Sequence, residues 1–250
     1  MDRLRAILDL IDKYFPDCQM INMDATVTSI RLKSDEELQE LYDRKVRHLY
    51  LGIESGLDDV LKFMRKEHTQ DQAYKEIARI QKVGLIFDAH VMSGVAGKGR
   101  GQENAIALAE FLNKTQPDRI VNFSLFLHNQ VALYEDIKSG AFIPADEVEN
   151  MEEERTLIEL LKEGPDGHQM LYDGFNDFLE LRVKGKVPKD APRMIEKLTE
   201  AIEKYKGEPP IYAYVKGDCP DLSMCDGGRW LWEMDDSKLA QYNEKEKKLG

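Results

Sequence analysis

The chain has 250 residues, enough for one large domain or for one domain with a substantial extension. With 42% hydrophobic and 33% charged residues, its composition is typical of a soluble globular protein. A formal net charge of −12 disfavours nucleic acid and anionic membranes over most of the surface, although a local basic patch can still bind RNA.

The sequence carries no membrane, secretion or disulfide signal. It has no apolar run long enough to span a bilayer, which predicts no membrane contact. Its first residues lead directly into an amphipathic pattern, without the apolar core and cleavage site of a secretion signal. The cysteines, Cys18, Cys219 and Cys225, are too few and odd in number for a disulfide framework, so we expect a cytoplasmic protein.

Predicted helices and strands alternate through the first part of the chain. Apolar residues at helical spacing open it, and capping-box pairs begin two later helices, Ser34 with Glu37 and Thr69 with Gln72. The predicted helices are 2–14, 34–45, 58–64, 69–83 and 102–115. Apolar and β-branched runs predict strands at 18–30, 46–53, 85–93 and 119–127. Alternation of this kind predicts a parallel sheet with right-handed crossovers.

The regular alternation ends near Pro144. Helical patterns return at 147–162 and 191–206, prolines and glycines punctuate the stretch between them, and a late strand is predicted at 211–215. The sequence therefore predicts an α/β fold, with a partial (βα) barrel of parallel strands at 1–165 and a mainly helical C-terminal extension at 166–250. Because the repeat begins on a helix and falls short of a closed barrel, we expect the barrel to be N-terminally incomplete.

Candidate binding residues lie where the predicted strands end. Ligands of parallel α/β sheets bind at the carboxyl ends of the strands, and here every end carries polar groups next to small residues. The candidates in chain order are Asp24, Thr26, Arg31, Glu54, Ser55, His90, Ser93, Gly94, Val95 and His128.

Several candidates have an equally ordinary structural explanation. The Glu54 carboxylate suits a ribose or an ammonium group, and equally the positive end of a helix dipole. Arg31 suits a substrate carboxylate or simply the protein surface. A strand histidine such as His90 is more often an interior group than a ligand, whereas His128, among loop residues, is the better functional candidate.

Two further motifs are weak by themselves. The glycine-rich stretch 94–101 follows a strand and precedes a helix, a context that suits an anion-binding loop or a flexible turn. Cys219 and Cys225 lie in a turn-rich segment without the additional ligands of a metal site, so free thiols are favoured. The sequence therefore predicts no metal ligands.

The order of these motifs resembles the radical S-adenosylmethionine (SAM) core. The resemblance covers about residues 1–165 and is strongest to the branch of coproporphyrinogen oxidases, methylthiotransferases and Elongator-type proteins. The segments that carry it are 33–38, Leu49–Gly56, Asp59–Lys62, His68–Thr69, Gly84, Ser93–Gly97, Asn129–Tyr134 and Gly140–Phe142.

This resemblance implies a partial barrel that binds SAM and a 4Fe-4S cluster and generates a 5′-deoxyadenosyl radical, in an Fe–S oxidoreductase whose substrate the sequence does not identify. The positions that correspond to cofactor contacts are Asp24, Thr26, Arg31, Glu54, Ser55, Ser93, Gly94 and Val95, and those on the substrate side are His90 and His128.

The chain departs from the family pattern where the cluster would be held. It contains no Cys-x3-Cys-x2-Cys, and no Gly-Gly-Glu precedes Asp24. We therefore expect the 4Fe-4S cluster only if the full-length protein has a further N-terminal segment that carries the cysteines. The alternatives are a non-catalytic SAM- or nucleotide-binding module and an unrelated αβ-barrel hydrolase or aldolase, for which no convincing catalytic lysine or metal site is present.

Overall fold

The computed structural model describes residues 1–215. Its strands are β1 (Ile21–Ala25), β2 (Val46–Glu54), β3 (Ile86–Ser93), β4 (Arg119–Ser124), β5 (Leu127–His128), β6 (Met170–Asn176), β7 (Leu181–Val187) and β8 (Tyr214–Val215). Its helices are α1 (Asp2–Tyr14), α2 (Val27–Arg31), α3 (Asp35–Asp43), α4 (Asp58–Phe63), α5 (Gln70–Lys82), α6 (Gly101–Thr115), α7 (Ala132–Ser139), α8 (Glu147–Leu160) and α9 (Ala191–Tyr205).

A six-stranded sheet forms the framework. The spatial order is β1-β2-β3-β4-β6-β7; the strands from β1 to β6 are parallel, and β7 runs antiparallel to β6. The short strands β5 and β8 pair separately. The predicted α/β class, with a partial barrel of parallel strands, is confirmed.

The two faces of this sheet differ in burial. On β2, Leu49, Leu51 and Ile53 are at most 1% exposed and join the main core, whereas Tyr50 between them is partly exposed. The alternation continues on β3 and β4, because successive side chains of a strand point to opposite faces. Helices α5, α8 and α9 pack against the first face. We call the other, half-buried face the open face.

The helix starts with capping-box spacing are confirmed. Ser34 Oγ accepts from the backbone N–H of Glu37, and the Glu37 side chain accepts from the N–H of Ser34. Thr69 and Gln72 make the same reciprocal pair at the start of α5. These caps satisfy backbone donors that a helix start otherwise leaves without partners.

The predicted strand at 18–30 is wrong in length. Only Ile21–Ala25 pairs with β2, and the chain then turns into the short helix α2. Thr26 caps this helix, since its hydroxyl accepts from the N–H of Ser29 while the Ser29 hydroxyl accepts from the N–H of Thr26. Serine replaces the usual Glu or Gln of the motif, so the pattern hides the cap.

Two strands of the main sheet lie beyond residue 165, in the segment expected to be mainly helical. Strands β6 and β7 form an antiparallel pair, and β6 continues the parallel sheet from β4. Of the predicted helices in this part of the chain, α9 is present. The sheet therefore contains strands from both sides of the predicted boundary at 165.

Two sequence predictions concern other parts of the molecule. Among the helices of residues 1–215, none combines the length and the apolar character of a membrane span. Cys219 and Cys225 lie outside the described residues, and Cys18 is a free, partly exposed thiol.

Candidate functional site

The carboxyl end of β2 places the Glu54 carboxylate over the open face. Glu54 has a φ of +63°, a left-handed conformation that persists in non-glycine residues where the surrounding structure enforces it. A Cβ atom on Gly52 would lie 2.6 Å from Glu54 Oε1, so glycine leaves the space that this carboxylate occupies. Lys66 Nζ donates to Glu54 Oε1 at 2.7 Å, and the Glu54 side chain is 15% exposed. The carboxylate is thus fixed in place while still reachable from solvent.

A row of rings crosses the open face beside this carboxylate. The centroids of Tyr50 and His90 are 5.2 Å apart, and those of His90 and Phe123 are 5.9 Å apart. Phe123 stacks on Phe175 at 5.6 Å, and the Arg182 guanidinium lies over the Phe175 ring at 4.5 Å. The row runs across β2, β3, β4, β6 and β7, and a half-buried surface of this kind suits a planar ligand.

Ser55 faces away from the open face. Its side chain is fully buried, and its hydroxyl donates to Asn104 Oδ1 on α6 at 2.6 Å. Gly56 N donates to the same oxygen at 3.1 Å. Asn104 Nδ2 in turn donates to Glu153 Oε1 on α8 at 2.7 Å. The turn after β2 is therefore held from behind the sheet by α6 and α8.

The end of β3 is held by the same buried group. Gly94 N donates to Glu153 Oε2 at 2.9 Å, and Gly94 has a φ of +82°. Ser93 is 4% exposed, and its hydroxyl lies 2.9 Å from Asn122 Nδ2 on β4. Ser55, Ser93 and Gly94 thus position the strand ends, and their polar atoms are already bonded within the protein.

Three buried glutamates of α8 form the centre of this network. Both oxygens of each carboxylate lie within hydrogen-bond distance of a donor: Asn104 and Gly94 for Glu153, Tyr172 and Asn176 for Glu154, and Asn150 and Ser124 for Glu147. Burial raises the pKa of each of the three carboxyls to about 7, and the hydrogen bonds lower it in part.

A cleft of about 340 Å³ opens beside the glycine-rich turn. Val95 and Ala96 line it together with Val60 and Phe63 of α4 and Phe142. At its mouth, Arg100 pairs with Asp59 at 2.8 Å. Val95 is 3% exposed and belongs to a small apolar cluster, so it contributes packing and shape to the cleft.

The remaining candidates are spread along the rim. Asp24 is exposed on the edge strand β1, and its partner in the register is Tyr50. The Thr26 hydroxyl serves as the cap of α2, and Arg31 is exposed at the end of that helix. His128 Nδ1 accepts from the N–H of Gln130 at 3.0 Å, on the separate β5-β8 pair.

The structure brings Glu54 and His90 together on the open face. Sequence reasoning missed Phe123, Phe175 and Arg182, the rest of the ring row. The sequence of β7 alternates apolar with charged residues from Leu181 to Lys184, which is a signal for the outward direction of Arg182. Phe123 and Phe175 have no such signal, because an aromatic residue in a strand is equally typical of the buried face.

The described residues fit a SAM-like ligand better than an iron–sulfur cluster. A carboxylate that already holds the Lys66 ammonium, beside a row of rings, matches a molecule with ammonium, ribose and adenine groups. A 4Fe-4S cluster is held by cysteine thiolates, and in residues 1–215 Cys18 stands alone, just before β1.

Comparison with known proteins identifies relatives of two kinds, both named for the modification of tRNA. Over 101 residues the chain is 32% identical to a tRNA-2-methylthio-N(6)-dimethylallyladenosine synthase of Acinetobacter baumannii, an alignment that covers 38% of this chain and 20% of that protein. Over 120 residues it is 24% identical to a tRNA uridine(34) acetyltransferase of Methanocaldococcus infernus, which covers 48% of this chain and 22% of that protein. No family model matches the chain.

A solved structure shares the fold. It is the archaeal Elp3 of Methanocaldococcus infernus with an N-terminal deletion (1–46), with a TM-score of 0.54 and 18% identity over 75% of this chain and 42% of that chain. The chain spans about a fifth of the length of the curated relatives that it matches. The resemblance to the radical SAM superfamily, to which both kinds of relative belong, is confirmed.

Proposed function

We propose that this chain, which resembles the radical SAM superfamily in sequence and in fold, supplies a SAM-binding surface on the open face of its sheet. The observation that carries the proposal is the Glu54 carboxylate, held in a left-handed conformation over Gly52 beside the ring row. Lys66 already places an ammonium group 2.7 Å from this carboxylate. A ligand ammonium or ribose hydroxyl would make the same kind of contact, and the rings would pack against adenine.

Calorimetric titration of the full chain with SAM and with adenosine tests this proposal. We expect SAM to bind, and we expect Glu54→Gln to weaken the binding about tenfold or more, because a hydrogen bond to a charged group contributes about 1.5–3 kcal/mol. Glu67→Gln removes an exposed carboxylate nearby and should leave the affinity unchanged. No heat signal from folded protein at millimolar SAM, or equal binding by Glu54→Gln, would contradict the proposal.

We further propose that the full-length protein is a radical SAM oxidoreductase, in which a segment absent from these 250 residues holds the 4Fe-4S cluster. The chain has no cysteine motif for it. Anaerobic reconstitution of this chain with iron and sulfide should therefore give no stoichiometric cluster absorbance in the visible range. A full cluster on this polypeptide would show that its ligands had been misjudged.

The missing cysteine motif also favours a second function, a SAM- or nucleotide-binding module without radical chemistry. The coding sequence immediately upstream distinguishes the two. An in-frame Cys-x3-Cys-x2-Cys there supports the radical enzyme; its absence supports the module and leaves SAM binding intact.

The substrate is a separate question. The names of both relatives specify tRNA as what those proteins modify. This chain has a net charge of −12, and on the open face Arg182 and Lys184 are both paired with Asp173. We therefore propose a cofactor site, and not an RNA-binding surface, as the contribution of this chain.

A further inference from the structure

A second cluster of polar side chains lies on the sheet away from Glu54, near the amino ends of the strands. His48 is the third residue of β2, Asp88 is the third residue of β3, and Asp118 directly precedes β4. The parallel arrangement of the three strands brings these positions together. Nothing in the proposed SAM site uses them, so this cluster and that site are independent of each other.

The geometry of this cluster is compact. Each of the three residues has a ring nitrogen or carboxylate oxygen within 4.8 Å of those of the other two. His48 Nδ1 lies 2.6 Å from Asp88 Oδ2. An imidazole and two carboxylates at this spacing need only small rotations to share one ion, whose bonds to nitrogen and oxygen are about 2.0–2.2 Å long.

Asp88 supplies a second, independent observation. Its side chain is fully buried, yet Oδ1 has no hydrogen-bond partner among the described residues. A buried carboxylate oxygen without a partner is rare and costly in a native protein. The orphaned oxygen belongs to the carboxylate that touches His48, so its missing partner lies next to the cluster.

The neighbouring cation does not fill this role. Arg119 is the partner of Asp88 in the register of β3 and β4. Its Nε atom is nevertheless buried and has no partner among the described residues either. Arg119 Nε and Asp88 Oδ1 therefore both lack a partner within residues 1–215, so Arg119 does not supply the missing contact of the Asp88 carboxylate.

We propose that His48, Asp88 and Asp118 bind one divalent transition-metal ion such as Zn²⁺. Imidazole selects first-row transition metals over Mg²⁺ and Ca²⁺, which prefer all-oxygen sites, and the carboxylates supply the compensating charge. Asp118 is accessible to solvent, so water completes the coordination. The ion replaces the missing partner of Asp88 Oδ1. This site departs from the expectation of the sequence, which contains no metal motif.

Calorimetric titration with Zn²⁺ tests the site, in a chain carrying Cys18→Ser, Cys219→Ser and Cys225→Ser so that no thiolate competes. We expect about one ion per chain. Asp118→Asn should weaken binding about tenfold or more, and because this side chain is accessible, the variant should still fold. Binding should also raise the thermal unfolding midpoint of the parent chain, since the ion binds only the folded state.

Two controls separate this proposal from its alternatives. Asp17→Asn removes an exposed carboxylate elsewhere and should leave Zn²⁺ affinity unchanged, and so should Glu54→Gln, which affects only the SAM site. His48→Gln should weaken Zn²⁺ binding as Asp118→Asn does. The proposal is overturned if the folded parent chain gives no heat at millimolar Zn²⁺, or if Asp118→Asn binds as tightly as the parent.

Discussion

Replacing Gly56 by alanine should lower the free energy of unfolding by more than about 3 kcal/mol, because the new methyl group would overlap a backbone peptide bond of α6. A Cβ atom at Gly56 would overlap the carbonyl carbon of Ala107 and the nitrogen of Leu108, in the middle of α6. Backbone inside a helix cannot move aside as a flexible side chain does. The turn after β2 would have to separate from α6, which would also break the Gly56–Asn104 hydrogen bond. Urea denaturation followed by circular dichroism measures the change.

Gly99→Ala is the matched control for this substitution. Gly99 has a φ of +79°, but nothing lies within 4 Å of the added Cβ. The expected cost is therefore only the backbone strain, about 1–2 kcal/mol. If the Gly56→Ala variant is as stable as the Gly99→Ala variant, the turn after β2 does not approach α6 as closely as the structure shows.

The second large effect is expected at Glu153, which holds two strand ends at once. In Glu153→Gln, the amide nitrogen must face one of two donors, Gly94 N or Asn104 Nδ2. Asn104 cannot turn over to help, because its oxygen already accepts from Ser55 and Gly56. We expect a loss of about 2–3 kcal/mol in the free energy of unfolding, the cost of a buried donor without an acceptor. Urea denaturation at several pH values measures it.

Glu154→Gln tests the same network at a second carboxylate. Asn176 donates to one Glu154 oxygen and the Tyr172 hydroxyl donates to the other, while the Tyr172 oxygen already accepts from Asn122 Nδ2. A glutamine amide therefore again leaves one buried donor without an acceptor. In the native protein, burial raises the pKa of Glu154 from 4.5 to about 7. The buried Glu154 carboxyl therefore lowers the free energy of unfolding increasingly as the pH rises from 4.5 to about 7. The loss is complete above that pKa, where the carboxyl is ionised in the folded and in the unfolded chain.

Both substitutions also remove a carboxyl whose penalty grows with pH, because burial raises the pKa of Glu153 and of Glu154 to about 7. Relative to the native chain, the cost of Glu153→Gln and of Glu154→Gln should therefore shrink as the pH rises from about 4.5 to about 7. Glu159→Gln, an exposed position on the same helix, should stay within about 0.5 kcal/mol of the native chain. A cost that does not change with pH, for either variant, would contradict the buried carboxyls of α8 with their raised pKa values.

Local sequence patterns were sufficient to predict most strands of the parallel sheet. The capping pairs at Ser34 and Thr69 fix where α3 and α5 begin, and apolar runs of strand length identify β2, β3 and β4. Strands β6 and β7 were not predicted, because Gly174 and Gly185 are typical of breaks in a strand. In the fold these glycines leave space for Glu154 and Asp190, respectively, so the reason for each lies in a distant part of the chain.

The candidate site was harder to predict because the sequence does not show which polar residues of a strand end face the open side. On β2 the alternation continues through the strand end, so Ile53 and Ser55 are buried while Glu54 stays over the open face. The burial of Glu153 and Glu154 had no sequence signal either. Helix α8 is rich in glutamate and resembles a solvated helix until its polar partners on β4, β6 and α6 are known.

The order of strands in the main sheet follows their order along the chain, and this has a consequence for synthesis on the ribosome. Each strand from β2 to β7 pairs with the preceding strand of that sheet, so no strand must be inserted between two that are already paired. The sheet can therefore grow one strand at a time as the chain emerges. Growth ends on β7, whose exposed Arg182, Lys184 and Lys186 make it a poor template for another strand.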